Sequence, residues 1–264
     1  MRLALVGLGA IGGAVLRMLG ERGAAVDLVA VGLRDAARAR AGLPAGVPLL
    51  EDPSGLEATG ADLVVEAAGR DAVAPWGRAA LAAGVDFAVS STSAFAGTGL
   101  LEELAALARQ SGAQILIPPG ALGGIDALSA ASRMGLASVT HRIVKPPRAW
   151  AGTEAERLCD LPGLSAATVF FEGTAREAAA RFPQNANVAL ITALAGLGQE
   201  ATRIALVADP EARANRHEIE AEGAFGRMAL ALENAPLPEN PKSSAMTALS
   251  LVRLIENRAT AVVI

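Results

Sequence analysis

The stretch "RLALVGLGAIGGAVLRMLGERG", Arg2 to Gly23, decides the fold. Its start, "RLALVGLG", is a short apolar run ending in glycines, the pattern of a buried strand. The next segment, "AIGGAVLRMLGERG", has the spacing of a helix that ends near Gly20 or Gly23. Between them Gly7, Gly9 and Gly12 form G-x-G-x-x-G. With 28 glycines in the chain that spacing alone carries little weight. It becomes informative because it lies between a strand and a helix. Gly7 permits the tight turn, Gly9 lets a pyrophosphate approach the backbone, and Gly12 lets helix and strand pack closely. Gly7, Gly9, Ala10, Ile11 and Gly12 are therefore candidate dinucleotide contacts, with the helix N-terminus facing the phosphates.

Outward from this unit the alternation continues. "AVDLVAVGL", "ADLVVEAAG", "VDFAVSST" and "AQILIPPG" read as strands, with "DAVAPWGRAALAAG" and "GLLEELAALARQSG" as helices between them. Continuous apolar strands alternating with helices predict a doubly wound parallel sheet, a Rossmann domain over residues 1–120. After Gly120 the pattern changes. "GGIDALSAASRMG" reads as a helix, and "SVTHRIVKP", "ATVFFEG", "ATRIALVAD", "RHEIEAEG" and "FGRMALALEN" as strands with few helices between. This predicts a second α+β domain over 121–240 with a mostly antiparallel sheet. "TARE", Thr174 to Glu177, fits a capping box. "NAPLPENPK" reads as a proline-rich connector. A final amphipathic helix within 241–264, with Met246, Leu249, Val252 and Ile255 along one side, is expected to pack back on the first domain.

Composition narrows the function. The chain has 264 residues, 52% of them hydrophobic, enough for a sizeable core. A net charge of −4 and 3% aromatics argue against a nucleic-acid partner. No uninterrupted run of about 18 apolar residues spans a membrane, so a cytoplasmic protein is expected. One cysteine, Cys159, and two histidines make a metal site improbable and exclude an internal disulfide. Cys159 reads as inert.

Several residues are candidates for chemistry. After the second strand come Arg34, which could grip a 2′-phosphate, and Asp35, a displaced ribose ligand; both could equally begin a surface helix. The cofactor could be NAD, NADP or either. The loops "EAAG", "SST" and "PPGA" come after strands, where an open parallel sheet lines its ligand crevice. Ala68, Ser90 and Ala121 are cofactor candidates there, and Ser91 and Thr92 substrate candidates; ordinary turn chemistry explains such loops as well. In "RFPQNANVALITALAGLG", Asn185 suits an N-cap and Asn187 falls in the first turn, where its amide can point at a ligand. Lys145 ends a strand before two prolines and could hold a carboxylate, or be solvated. His141 reads as a sheet-face or core histidine. In "NRHEIEAEGAFG", Asn215 to Gly226, alternation puts Arg216, Glu218, Glu220 and Glu222 on a wet face and His217, Ile219 and Ala221 on the drier one.

Taken in order, "GLGAIG", "SSTSAF", "IPPGALGGIDAL", "KPPRAW", "FPQNANVA", "NRHEIEAEGAFG" and "PENPKSSAMTALS" resemble the L-aspartate dehydrogenase family. The resemblance implies an NAD(P)-dependent amino-acid dehydrogenase with a Rossmann domain and a catalytic, dimer-forming second domain. It implies His217 as the active-site residue and Ala121 and Asn187 as nicotinamide contacts. The substrates implied are L-aspartate in one direction and oxaloacetate plus ammonia in the other, by way of iminosuccinate, in a homodimer that could feed NAD biosynthesis. A histidine, with its ordinary pKa of about 6.5, suits proton exchange near neutral pH. Other two-domain Rossmann oxidoreductases, acting on homoserine, an aldehyde or a cyclic imine, and a non-catalytic NAD(P) sensor are the alternatives.

Overall fold

The computed structural model describes residues 1–35, 37, 43, 45–97 and 99–264. Two compact units emerge, Met1–Gly120 with Thr247–Ile264, and Ala121–Met246. Among the described residues no helix is long and apolar enough to cross a membrane.

The first unit is built on six parallel strands: β1 (Arg2–Val6), β2 (Asp27–Gly32), β3 (Leu49–Leu50), β4 (Leu63–Glu66), β5 (Asp86–Val89) and β6 (Ile115–Leu116). Their order is β3-β2-β1-β4-β5-β6, which reverses direction between β1 and β4. This is the doubly wound Rossmann arrangement, and ligands bind where the order reverses. The apolar runs explain it: Leu3, Leu5, Leu63, Val64, Val65 and Phe87 are wholly buried, as strands covered on both faces must be. Helices α1 (Ala10–Glu21), α2 (Arg70–Ala82) and α3 (Leu100–Ser111) connect them. Strand β3 is an addition to the sequence reading; two residues are too few to show a period.

The second unit holds α4 (Ile125–Ala131), β7 (Leu136–Lys145), α5 (Ala155–Leu158), β8 (Thr168–Thr174), α6 (Ala175–Arg181), α7 (Ala186–Ala195), β9 (Arg203–Ala208), β10 (Asn215–Gly223) and β11 (Gly226–Asn234). The five strands lie in the order β11-β10-β7-β9-β8. Only β7 and β9 pair in parallel; the other pairs are antiparallel. The capping box forms: Thr174 Oγ1 accepts from Glu177 N at 3.1 Å and Glu177 Oε2 accepts from Thr174 N at 2.7 Å, starting α6. Helix α7 buries six of its ten residues, and with α6 it supplies Ala175, Ala178, Ala189 and Ala193 to a core shared with Ile143, Trp150, Phe171, Ile204 and Leu206. Small alanines let the helices lie close to the sheet.

Strand β10 alternates as its sequence dictates, with His217, Ile219 and Ala221 buried. The opposite face is charged. Arg142 pairs with Glu218 at 3.0 Å, Arg216 with Glu218 at 2.7 Å, and Arg227 with Glu220 and Glu222 at 3.3 Å each.

Two local readings are also corrected. "NAPLPENPK" is not a plain connector: β12 (Pro236–Leu237) and β13 (Asn240–Ser244) fold it into a small hairpin. The last helix, α8 (Ala245–Ala259), buries Ala248, Leu251, Val252 and Ile255, while Leu249 is 46% exposed. The buried stripe is thus rotated from the one anticipated. Helix α8 is fastened within the first unit by Arg22, whose Nε and Nη2 donate to Glu256 at 2.6 and 3.0 Å, and by the Arg258–Asp86 pair.

Candidate active site

The glycine loop of the first unit has three distinct demands. Gly7 has φ +93°, and a Cβ there would lie 2.5 Å from Ala68 Cα. A Cβ on Gly12 would lie 2.0 Å from Gly7 O, so helix and loop touch through hydrogen alone. Gly9 differs: a Cβ would meet nothing within 4 Å. No protein neighbour requires glycine there, which leaves open backbone at the start of α1, as a bound pyrophosphate needs. Gly9 is the N-cap; Ala10 and Ile11 are the first helical residues, and the first turn has no acidic side chain to oppose an anion.

Beside this loop, at the end of β4, Glu66 is completely buried. Its Oε1 accepts from Ala68 N at 2.8 Å, Gly69 N at 2.7 Å and Ser91 Oγ at 2.9 Å, and its Oε2 from Ser91 N at 2.9 Å. One carboxylate therefore ties the turn after β4 to the turn after β5. Burial pushes its pKa up, and the four donors oppose that rise. Sequence reading saw Glu66 only as part of a turn. The loops it holds carry the exposed Ala68 and the half-buried Ser90 and Ser91. Thr92, considered as a substrate anchor, is wholly buried, so its hydroxyl does not face a ligand. Arg34 and Asp35 come after β2 and are both exposed; Asp35 Oδ1 accepts from Ala37 N at 3.1 Å.

In the second unit the inward face of the sheet carries three titratable side chains in a row. His217 on β10 lies opposite Ile143 on β7, and His141 and Lys145 flank Ile143 two residues to either side. All three project from one face. His217 Nδ1 stands 3.1 Å from His141 Nε2, and His141 Nδ1 stands 2.9 Å from Thr192 Oγ1 on α7. His141 is wholly buried and His217 is 4% exposed. His217 Nε2 makes no hydrogen bond among the described residues. Lys145 is half-buried; its Nζ donates to Asn185 Oδ1 and lies 5.4 Å from the centre of the Trp150 ring.

These surroundings reset the proton affinities. Burial, then the positive charge of Lys145, lowers His217 from 6.5 to about 3. His141 falls well below its ordinary value, through burial and then His217. Burial lowers Lys145 from 10.5 to about 8. The expectation of a histidine titrating near neutrality is therefore corrected. Both rings are neutral at physiological pH, and of the three groups the lysine changes charge closest to it.

The other candidates lie nearby in the same unit. Asn185 precedes α7 but caps it with no side-chain bond, its amide oxygen being turned to Lys145. Asn187, in the first turn of α7, is half-buried. Ala121 is 8% exposed, and its carbonyl accepts from Asn234 Nδ2 at 2.8 Å. Asn234, like Asn185 and His141, was not recognised from sequence as part of this arrangement. Burial, and then neighbouring Asp160, raise the thiol pKa of Cys159.

The chain is similar to known proteins over its whole length. Residues 126–258 match the family model described as aspartate dehydrogenase, C-terminal, and residues 7–118 match that of the homoserine dehydrogenase NAD-binding domain. An L-aspartate dehydrogenase of Brucella anthropi is 61% identical over 99% of this chain and 98% of its own. One from Ralstonia nicotianae is 46% identical over 99% of each. The crystal structure of aspartate dehydrogenase from Thermotoga maritima superposes with a TM-score of 0.80 at 28% identity, covering 100% of this chain and 99% of that one.

Proposed function

The chain belongs to the aspartate dehydrogenase family, and from that premise we propose that it oxidises L-aspartate to iminosuccinate with NAD or NADP, and catalyses the reverse amination. It is an NAD(P)-dependent oxidoreductase acting on the CH–NH2 group of a small molecule. The observation that carries the residue assignment is the row His141–His217–Lys145: a neutral ring with a free nitrogen beside a cation, on one dry face of the sheet.

The cofactor fits the residues present. Gly7, Gly9, Ala10, Ile11 and Gly12 would hold its pyrophosphate, Ala68 and Ser90 would line its path, and Ala121 and Asn187 would meet the nicotinamide. When bound, the nicotinamide supplies the hydride acceptor. Arg34 is assigned to the adenosine ribose, where its guanidinium would donate hydrogen bonds to a 2′-phosphate. Glu66 keeps Ala68 and Ser91 in place by its four bonds.

For L-aspartate to become an imine, Cα loses a hydride and the neutral amino group loses one proton, leaving C=NH. His217 Nε2 is the acceptor assigned to a proton of the amino group. Lys145, charged below about pH 8, is assigned to a carboxylate of the substrate, with Ser91 as a second anchor. A carboxylate on Lys145 would offset the smaller of the two causes that depress His217, leaving burial as the larger one. Water then adds to the imine and gives oxaloacetate and ammonia. Amination reverses each step, with His217 returning the proton.

A homodimer in the cytoplasm is part of the same proposal. It is supported by the two open edges of the second sheet, β11 and β8, with Val169 on β8 40% exposed. Light scattering at micromolar concentration tests it. For the reaction, NAD(P)H formation with L-aspartate, then its consumption with oxaloacetate plus ammonia, is the direct assay. Turnover of homoserine in preference to both would overturn the substrate.

A further inference from the structure

The hydrogen-bond chain behind His217 has a direction, set at its far end. Thr192 Oγ1 lies 3.1 Å from the carbonyl of Val188, one turn earlier on α7, and 2.9 Å from His141 Nδ1. A carbonyl can only accept, so the hydroxyl hydrogen goes to Val188 O. The hydroxyl oxygen is then the acceptor for His141, and His141 carries its hydrogen on Nδ1. Since His141 is neutral, its Nε2 is a lone pair and accepts from His217 at 3.1 Å. His217 thus carries its hydrogen on Nδ1, and Nε2 is its open lone pair. The opposite arrangement makes two bonds in place of three. It also sets the Thr192 and Val188 oxygens face to face with no hydrogen between them.

We infer that Thr192 and His141 are positioning residues that hold His217 in the Nδ1–H tautomer, so that its Nε2 faces the site as a proton acceptor and never as a resting donor. A free neutral imidazole prefers the other tautomer, so the preference must be imposed by partners. The chain ends on a backbone carbonyl, which cannot take up a proton. It therefore orients the ring and does not export protons to solvent. This deepens the proposed function: it rests on His217 as the acceptor of the amino-group proton, but the tautomer is measurable without any turnover.

The chain has only two histidines, so protein labelled with [15N]histidine shows two rings. Long-range 1H–15N correlation spectra of the full-length protein at neutral pH report which nitrogen of each carries hydrogen. Both rings are expected as Nδ1–H; a ring in the Nε2–H form overturns the inference. In Thr192→Val the acceptor for His141 is gone, and both rings are expected to shift toward Nε2–H. With the base then in the wrong tautomer, kcat should fall by about tenfold or more, whereas Thr192→Ser retains the wild-type spectrum and rate. Unchanged tautomers in a folded Thr192→Val variant would also overturn it. Flipped tautomers with normal kcat would support the positioning role and count against His217 as the base.

Discussion

Lys145 and His217 rise from the same face of adjacent strands, and the charge of the first helps keep the second neutral. The lysine's charge therefore bears on when the ring can take up a proton. A site with the lysine charged and a ring awaiting a proton is set for an anionic, amine-bearing substrate.

That relation fixes a pH dependence. Lys145 gains charge as pH falls through about 8, and a carboxylate binds the charged form. Competitive inhibition by succinate should therefore be strongest below pH 8 and weaken by about tenfold per unit above it. Lys145→Met should abolish this dependence and raise KM for oxaloacetate by at least tenfold. Succinate inhibition with the same pH profile in the variant would remove Lys145 from substrate binding.

His217→Asn tests the acceptor itself. General acid–base groups contribute roughly 10²–10⁴-fold, so kcat should drop within that range. NADH affinity, measured by fluorescence titration, should change little because the glycine loop is untouched. A merely structural ring predicts the reverse: a lower melting temperature with near-normal kcat.

Two glycines in one motif should fail differently. Gly12→Ala forces a Cβ to 2.0 Å from a backbone oxygen and should destabilise the first unit by several degrees of melting temperature or more. Gly9→Ala meets no protein atom within 4 Å and should fold normally, yet bind NADH at least tenfold more weakly. Equal cofactor affinity in Gly9→Ala and wild type would show that the phosphates lie elsewhere.

Arg34→Ala should weaken NADP more than NAD, because only the former carries the 2′-phosphate. Comparing kcat/KM for the two cofactors in both proteins decides it. Equal losses would mean that the exposed Arg34 does not read the ribose.

Glu66→Gln keeps an acceptor but turns an amide NH2 toward backbone N–H donors. Loss of stability of about 1–3 kcal/mol is expected, together with weaker cofactor binding, because the turns after β4 and β5 lose their common tie. Denaturant unfolding and NADH titration measure the two effects.

Much of the fold is written locally in the chain. Four charges alternating with His217, Ile219 and Ala221 place the ring inward without any tertiary information. The glycine loop between a strand and a helix similarly marks the nucleotide end. What local pattern lacks is register. His141 meets His217 because β7 pairs antiparallel with β10, 76 residues later, and no spacing encodes that. The depressed proton affinities come from burial by α7 and from Lys145, so the ordinary value of histidine misled. Glu66 looked like turn chemistry because carboxylates are rarely buried, and its four donors come from two loops distant in sequence. Asn185 had the right type for a cap, but the half-buried Lys145 ammonium competed for its oxygen.

The first unit takes α8 from the far end of the chain, Thr247–Ile264, and this governs the order of its birth. On the ribosome all six parallel strands have been made by Leu116, but the helix bearing Leu251, Val252 and Ile255 is made only after the second unit. The nascent nucleotide-binding unit must wait, one apolar surface bare, while the whole of the second unit is translated. A chain cut before Thr247 would thus carry both glycine loop and histidines yet lack the helix that completes its first unit.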